Sequence, residues 1–411
     1  MRTRSFDREW AFFGAAQVVV CVGLIGCGAG GAGEIVTVVS DTAAEAGETS
    51  GGDGDGDVGG ASMEAPRRIV TADWLDRRLS ILDYEGFVVQ GQSRGEALIK
   101  EIDLSPYAPG PLELDVTPDG RRAVVAVGPG FFQGAVGSLI GAGEVPGGGV
   151  VLVVDLLTDE VLAELATPEP PMGVVVTSNG ATAYTANYGD DAAPGSTVTE
   201  IDLTSLEVVG SVSVGSRPEQ LALMDGLLAV NAASDGTAIM LDRTASPPVV
   251  LGATITSDDP SYPLWMESYP DQVLMTDSQG PGGVSLVDIS TPATPSLSLQ
   301  ADLEGIPYAI DHIEGTDEVV VLASRFSSVD LHRLTVGDLQ FTSASVPVNV
   351  SVAGFPLGVV VSSGKAIFAV PGDGVVVVED LATETFVTHA WPSEPGPTFV
   401  AEAAAVLSSD P

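Results

Sequence analysis

A short apolar strand ending in aspartate recurs seven times in this chain, and that recurrence narrows the fold more than any other feature. The segments are "SILDYEG" (Asp83), "VVDLLTDE" (Asp155), "EIDLTSLE" (Asp202), "IMLDRTAS" (Asp242), "LVDISTPA" (Asp288), "SVDLHRLT" (Asp330) and "VVEDLATE" (Asp380). A second apolar run precedes each one, beginning with "RIVTADW" and ending with "AIFAVPGDG". Val, Ile, Leu and Thr fill both sets, and Gly, Asp, Asn or Ser bounds them, which is the chemistry of strands and tight turns. Each aspartate is expected to accept backbone N–H bonds from the turn that follows it. Prolines open a third stretch at Pro111, Pro171, Pro218, Pro263, Pro307, Pro356 and Pro397, spaced 60, 47, 45, 44, 49 and 41 residues apart.

Periods in the forties with several short strands each predict the blades of a β-propeller. The long first interval is explained by a glycine-rich insertion at 128–149, GPGFFQGAVGSLIGAGEVPGGG. The array begins at "RIVTADW" with no proline-led strand before it and ends on a lone "PTFVAEAAAV". The C-terminal strand is therefore expected to complete the first blade, which removes a sheet edge. The expected fold is an all-β, seven-bladed β-propeller over 67–411, after a disordered N-terminal segment.

Within that frame "TPDGRRAVVAV", "TSNGATAYTAN" and "EIDLTSLEVVGSVSVGSRP" resemble the YVTN type of propeller repeat. In that repeat a PDG-like turn feeds a strand ending near Asn, and an "IDL-T" strand runs to a "VG-x-P" junction. The likeness is good over 111–218 and weaker beyond. It implies a seven-bladed propeller in a bacterial envelope and no particular activity, since unrelated functions share this fold.

The start of the chain reads differently. Arg2, Arg4 and Arg8 precede sixteen residues, AFFGAAQVVVCVGLIG, that are apolar apart from Gln17. A basic region followed by a short apolar core is the pattern of an export signal, and the core is short of the ~20 residues that span a bilayer. Leu24-Ile25-Gly26-Cys27 resembles the lipobox of bacterial lipoproteins. The resemblance implies removal of 1–26 and lipidation of Cys27, with two or more acyl chains giving a stable membrane anchor. Gly28 offers no acidic retention signal, which favours the outer membrane. The only other cysteine, Cys21, would leave with the signal peptide, so no disulfide is expected. Residues 27–66 contain eight acids, no Lys or Arg, and much Gly, Ala, Ser and Thr, the composition of a flexible, self-repelling tether. Asp53, Asp55, Asp57 and Glu64 match four positions of a calcium-binding loop, but Val58 stands where that loop needs glycine; the stretch reads as linker.

Charge excludes one class of partner. With 56 acids against 16 bases the formal net charge is −40, and Lys100 and Lys365 are the only lysines. Nucleic-acid affinity depends on Lys and Arg displacing counterions, so no nucleic-acid partner is expected. Catalytic signatures are scarce. His312, His332 and His389 lie in three different parts of the repeat array. No zinc spacing, nucleophile elbow or phosphate loop occurs in its required context, so no catalytic residue, metal site or cofactor is assigned.

Two functional readings remain. In the first the propeller is a binding or scaffold module, its site on the face where the strand-two loops and the blade-to-blade loops gather. That face gathers Trp74, Tyr188, Arg217, Tyr262, Phe326 and Trp391, with Trp265 just inside an inner strand. Aromatic residues and Arg are the usual anchors of binding surfaces. The insertion adds Phe131 and Phe132, which either bind a partner or fold back over the channel as a plug. The partner is an envelope protein or a small molecule. In the alternative the chain is a hydrolase of the sugar-lactonase kind, using acids on the inner strands. Glu113, Asp115, Glu219, Gln220, Glu267, Asp311 and His312 occupy those strands. The same acids can simply express the general acidity of the chain.

Overall fold

The computed structural model of the chain describes residues 67–133, 144–257, 261–279, 282–325, 327–344, 348–350, 356–391 and 399–403. The leader, Cys27, the tether, Phe326, Pro397 and the middle of the insertion lie outside them. The described strands form seven antiparallel sheets, each with four consecutive strands except at the closure. The innermost strands adjoin one another in a closed ring, so the architecture is a seven-bladed β-propeller. Blade 6 carries one additional short strand, Val348–Asn349, beside Ser328–Thr335. Closure follows the sequence expectation. Phe399–Ala403 pairs antiparallel with Arg68–Asp73, placing Ala403 opposite Arg68 and Phe399 opposite Ala72. The two ends of the array thus share blade 1.

Strands of the blade interiors are buried on both faces, because each sheet is stacked between its neighbours. Arg122–Val127 is buried from Ala123 onward, and Glu318–Ser324 from Val319 onward. This explains their continuous Val, Ile, Leu and Ala runs, where a half-exposed strand would alternate. The outermost strands do alternate or open to water, as in Glu207–Ser213 and Val249–Ile255.

The strand-ending aspartates behave as expected in six of the seven blades. Asp155 accepts the amides of Leu157 and Thr158, Asp202 those of Thr204 and Ser205, and Asp380 those of Ala382 and Thr383, all at 2.7–3.1 Å. Asp83, Asp242 and Asp288 each accept one such amide at 2.7–2.8 Å. These bonds hold the Asp202 and Asp288 carboxyls below the usual range. The Lys365 ammonium, together with the turn amides, lowers Asp380 to about 2. Because the turn amides of Thr204 and Ser205 then lose this acceptor, Asp202→Ala is expected to lower the midpoint of a urea titration; an unchanged midpoint contradicts the turn role.

Asp330 is the exception. It lies near the start of its strand, Ser328–Thr335, and pairs with Arg325. Thr335 occupies the strand-end position instead, and its hydroxyl donates to Asp338 at 2.6 Å. The "SVDLHRLT" segment is therefore offset by five residues from the register its aspartate suggested.

The prolines mark the inner strands. Pro111, Pro218 and Pro263 are the first residues of Pro111–Val116, Pro218–Met224 and Pro263–Tyr269. Pro307 is second in Ile306–His312, and Pro356 immediately precedes Leu357–Ser362. Immediately after this opening the register slips in all five strands, between Pro111 and Glu113, Pro218 and Leu221, Pro263 and Met266, Pro307 and Ala309, and Leu357 and Val360. Proline brings no N–H to the ladder, and a bulge there turns the next side chains toward the axis. This repeated bulge builds the channel mouth.

Candidate functional site

At the end of the channel where the inner strands begin, the bulged residues converge. Glu113, Glu219, Leu264, Trp265, Tyr308 and Leu357 line a small void there, with Phe131 of the insertion and Met172 completing the wall. The void measures about 10 Å³, room for about one water molecule. The blade 4 bulge is locked by Asn231, fully buried, whose carbonyl oxygen accepts the amides of Glu219 and Gln220 at 3.2 and 2.6 Å. Its amide donates onward to the Pro263 carbonyl of blade 5 at 2.8 Å. In blade 5 the Thr276 hydroxyl holds the equivalent place, accepting from the Trp265 amide at 3.0 Å.

The two mouth carboxylates are held differently. Glu113 accepts from the Val174 amide at 3.1 Å and from the Gln220 side-chain amide at 2.7 Å. Glu219 is 2% exposed, and its Oε2 has no hydrogen-bond partner among the described residues. Burial first, then the neighbouring Glu113, push the Glu219 carboxyl well above its ordinary range, with Arg217 opposing.

Arg217 belongs to an adjoining cluster. Its guanidinium lies 4.7 Å over the Tyr188 ring and donates to the Asp190 carbonyl at 3.3 Å. The Tyr188 and Tyr262 hydroxyls are 3.0 Å apart. Burial and the charge of Glu219 push Tyr188 up to about 12. Of the candidate anchors, then, Phe131, Trp265, Tyr188, Tyr262 and Arg217 gather at the mouth.

Three other candidates fall elsewhere. Trp74 and Phe132 are completely buried beneath the mouth, their rings 4.9 Å apart, and the Trp74 indole donates to the Gly128 carbonyl at 3.1 Å. Phe131 packs on Phe132 at 4.7 Å and lines the void, so the base of the insertion narrows the channel end. Trp391 is 5% exposed in the seam between blades 7 and 1, edge-on to Phe87 and under Arg94. Phe326 lies outside the described residues.

The other acids lie one step further along the inner strands, four residues after the proline. Asp115 accepts the amides of Val116 and of Val176 in blade 3, both at 2.6 Å. Asp311 does the same for His312 at 2.7 Å and for Val361 of blade 7 at 2.5 Å. Both stitch neighbouring blades together, and burial raises each to about 7 against the opposing pull of those amides. Glu267 holds the equivalent place in blade 5, where burial and the charge of Asp311 raise it strongly. His312 bonds the Thr316 carbonyl of its own turn at 2.9 Å. Among the described residues no group of three or more His, Cys, Asp or Glu side chains is placed to hold a metal ion.

Tyr308, Met172, Leu264 and Leu357 are mouth residues that sequence reasoning missed, and Tyr308 is the one among them with a polar group. Its signal was available, because it directly follows Pro307 as Glu219 follows Pro218 and Leu264 follows Pro263.

Comparison with known protein families finds no match, and comparison with curated proteins finds none either. Solved structures do match. A functionally unknown protein from Desulfotomaculum acetoxidans superposes with a TM-score of 0.63 at 13% identity, over 82% of this chain and 99% of that one. Apo AztD from Citrobacter koseri gives 0.52 at 12% identity, over 82% and 98%. The β-propeller domain of Cps50 from Myceliophteria thermophila gives 0.51 at 14%, over 69% and 88%. At these identities the likeness is one of fold.

Proposed function

We propose that this protein is an exported, lipid-anchored β-propeller that serves as a binding or scaffold module at the cell envelope, with the channel mouth as its contact face. The observation that carries the reading is the anchoring of the insertion across that mouth. Phe132 is buried against Trp74, and Gln133 bonds the Val145 carbonyl at 3.0 Å and the Asp191 amide at 2.7 Å. The described base of the insertion is thus tied to blades 1 and 3 and presents a fixed surface there, which lowers the ordering cost of binding. The Leu24–Cys27 motif supports the anchor, and the outer membrane is the favoured destination.

The test uses the full chain and two variants. Cys27→Ala is expected to abolish incorporation of labelled fatty acid, and continued labelling rules out the anchor. Replacing residues 134–143 by a short Gly-Ser link leaves Phe131, Phe132 and Gln133 in place. That variant is expected to lose the envelope partners that the intact chain retains on affinity capture; identical partner sets from both contradict the reading.

A second reading draws on Glu267 and Asp311, neighbouring carboxyls raised toward neutrality, a pattern found among acid–base pairs. Turnover in a screen of sugar lactones, lost in Glu267→Gln, would move the account to a hydrolase.

A further inference from the structure

We propose that the channel mouth is a receptor for a primary ammonium group, such as a lysine side chain or an alkylamine, held against Glu219 and Glu113. The proposal deepens the reading of this face as a binding surface and rests on it. Its starting point is Glu219, which lines the void and whose buried Oε2 meets no hydrogen-bond donor among the described residues. Leaving such an oxygen unpaired is costly. An ammonium supplies three N–H donors on a single compact head, and that head is close to a water in size, which is what the void holds.

The walls suit an organic cation. Phe131, Trp265 and Tyr308 present aromatic rings at the mouth, and aromatic faces attract cations, more strongly when water is excluded. Met172, Leu264 and Leu357 supply apolar surface for an alkyl stem. The nearest cation is already engaged, since Arg217 lies over Tyr188 and donates to the Asp190 carbonyl. A divalent metal ion is a poorer fit. Calcium takes six to eight oxygens, whereas this wall offers two carboxylates among mainly apolar groups.

Protonation follows from the same placement. Glu113 faces Glu219 from blade 2, Arg217 from the loop leading into blade 4, and the Tyr188 and Tyr262 hydroxyls adjoin them. Burial raises the Glu219 carboxyl, whereas an ammonium beside it favours the ionised form, so binding is coupled to release of the proton that burial retains.

The experiment is calorimetric titration of the full chain with n-butylammonium, repeated in buffers of different ionisation enthalpy to count protons. Tetramethylammonium serves as a size control and calcium as the metal arm. Expected are saturable one-to-one binding of n-butylammonium, net proton release, exclusion of tetramethylammonium, and a loss of affinity of about tenfold or more in Glu219→Gln. Thermal melting of the variant verifies folding, and proton release by the unaltered chain tests the site independently of any substitution. Saturation by calcium alone, absence of saturation, or unchanged affinity in folded Glu219→Gln overturns the proposal. Failure here while the insertion-replaced chain still loses its partners leaves the binding-module reading standing on that separate result.

Discussion

Trp74→Ala is expected to lower the unfolding free energy by about 3–5 kcal/mol, the cost of emptying a large buried aromatic site. Trp74 is completely buried at the junction of blade 1, blade 2 and the insertion. Three contacts are lost together: the ring on Phe132, the indole bond to the Gly128 carbonyl, and the packing that seats Phe131 over the channel. The site has little room to collapse. The backbone of Gly110 presses so close that a Cβ there would lie 1.9 Å from the Trp74 carbonyl. Urea titration of the full chain measures the loss. A cost below about 1 kcal/mol would mean the mouth is held by something other than this junction.

Between pH 8 and pH 5 the protein is expected to become more stable as acid is added. Asp115 and Asp311 are raised to about 7, and Glu219 and Glu267 well above their ordinary range, burial being the main cause in each. A carboxyl raised in the folded state binds more protons there than when unfolded. Its contribution is complete below the unfolded value near 4 and is lost as pH rises through the folded one. For Asp115, a rise of roughly three units corresponds to a ceiling of about 4 kcal/mol.

Two other groups of residues shape the curve. His332 and His389 are lowered by burial, so their contribution is complete above about 6.5 and fades below it, offsetting part of the gain. Asp202, Asp242, Asp288 and Asp380 are lowered and lose their contribution only as pH falls below about 4. Relief of general self-repulsion has the same sign as the channel effect, so a variant must separate them. Glu267→Gln is expected to stabilise the protein at pH 8, leave it unchanged at pH 5, and flatten the slope between. An unaltered slope in that variant would assign the pH dependence to general charge alone.

The architecture was legible because propeller blades repeat. Seven proline-led stretches, the last of them the lone terminal strand, and seven second strands announced the ring and its closure. Asp330 shows the limit of reading by marker, since an aspartate five residues early in its strand imitates the strand-end position that Thr335 occupies.

The mouth was only partly legible. Its acids and Trp265 stood out, but the bulge that turns them inward depends on cross-strand partners such as Asn231 and Thr276, and no single segment reveals such pairing. Tyr308 was missed although it follows Pro307 as Glu219 follows Pro218. Burial was also invisible in the sequence. Phe131 and Phe132 are adjacent, yet Phe132 is sealed beneath the mouth and Phe131 lines its void. Likewise Trp391 sits in a seam because the Tyr84–Ala97 connection carries Phe87 and Arg94 onto blade 7.

The central claim is that partners reach this propeller through its channel mouth. Photo-crosslinking in intact cells tests it most directly, with a photoreactive phenylalanine analogue placed at Phe131 or at Val209, which is 44% exposed on the outer strand of blade 3. The account predicts a discrete adduct from position 131 and none from 209. An adduct from 209 alone, or none from 131, would contradict it.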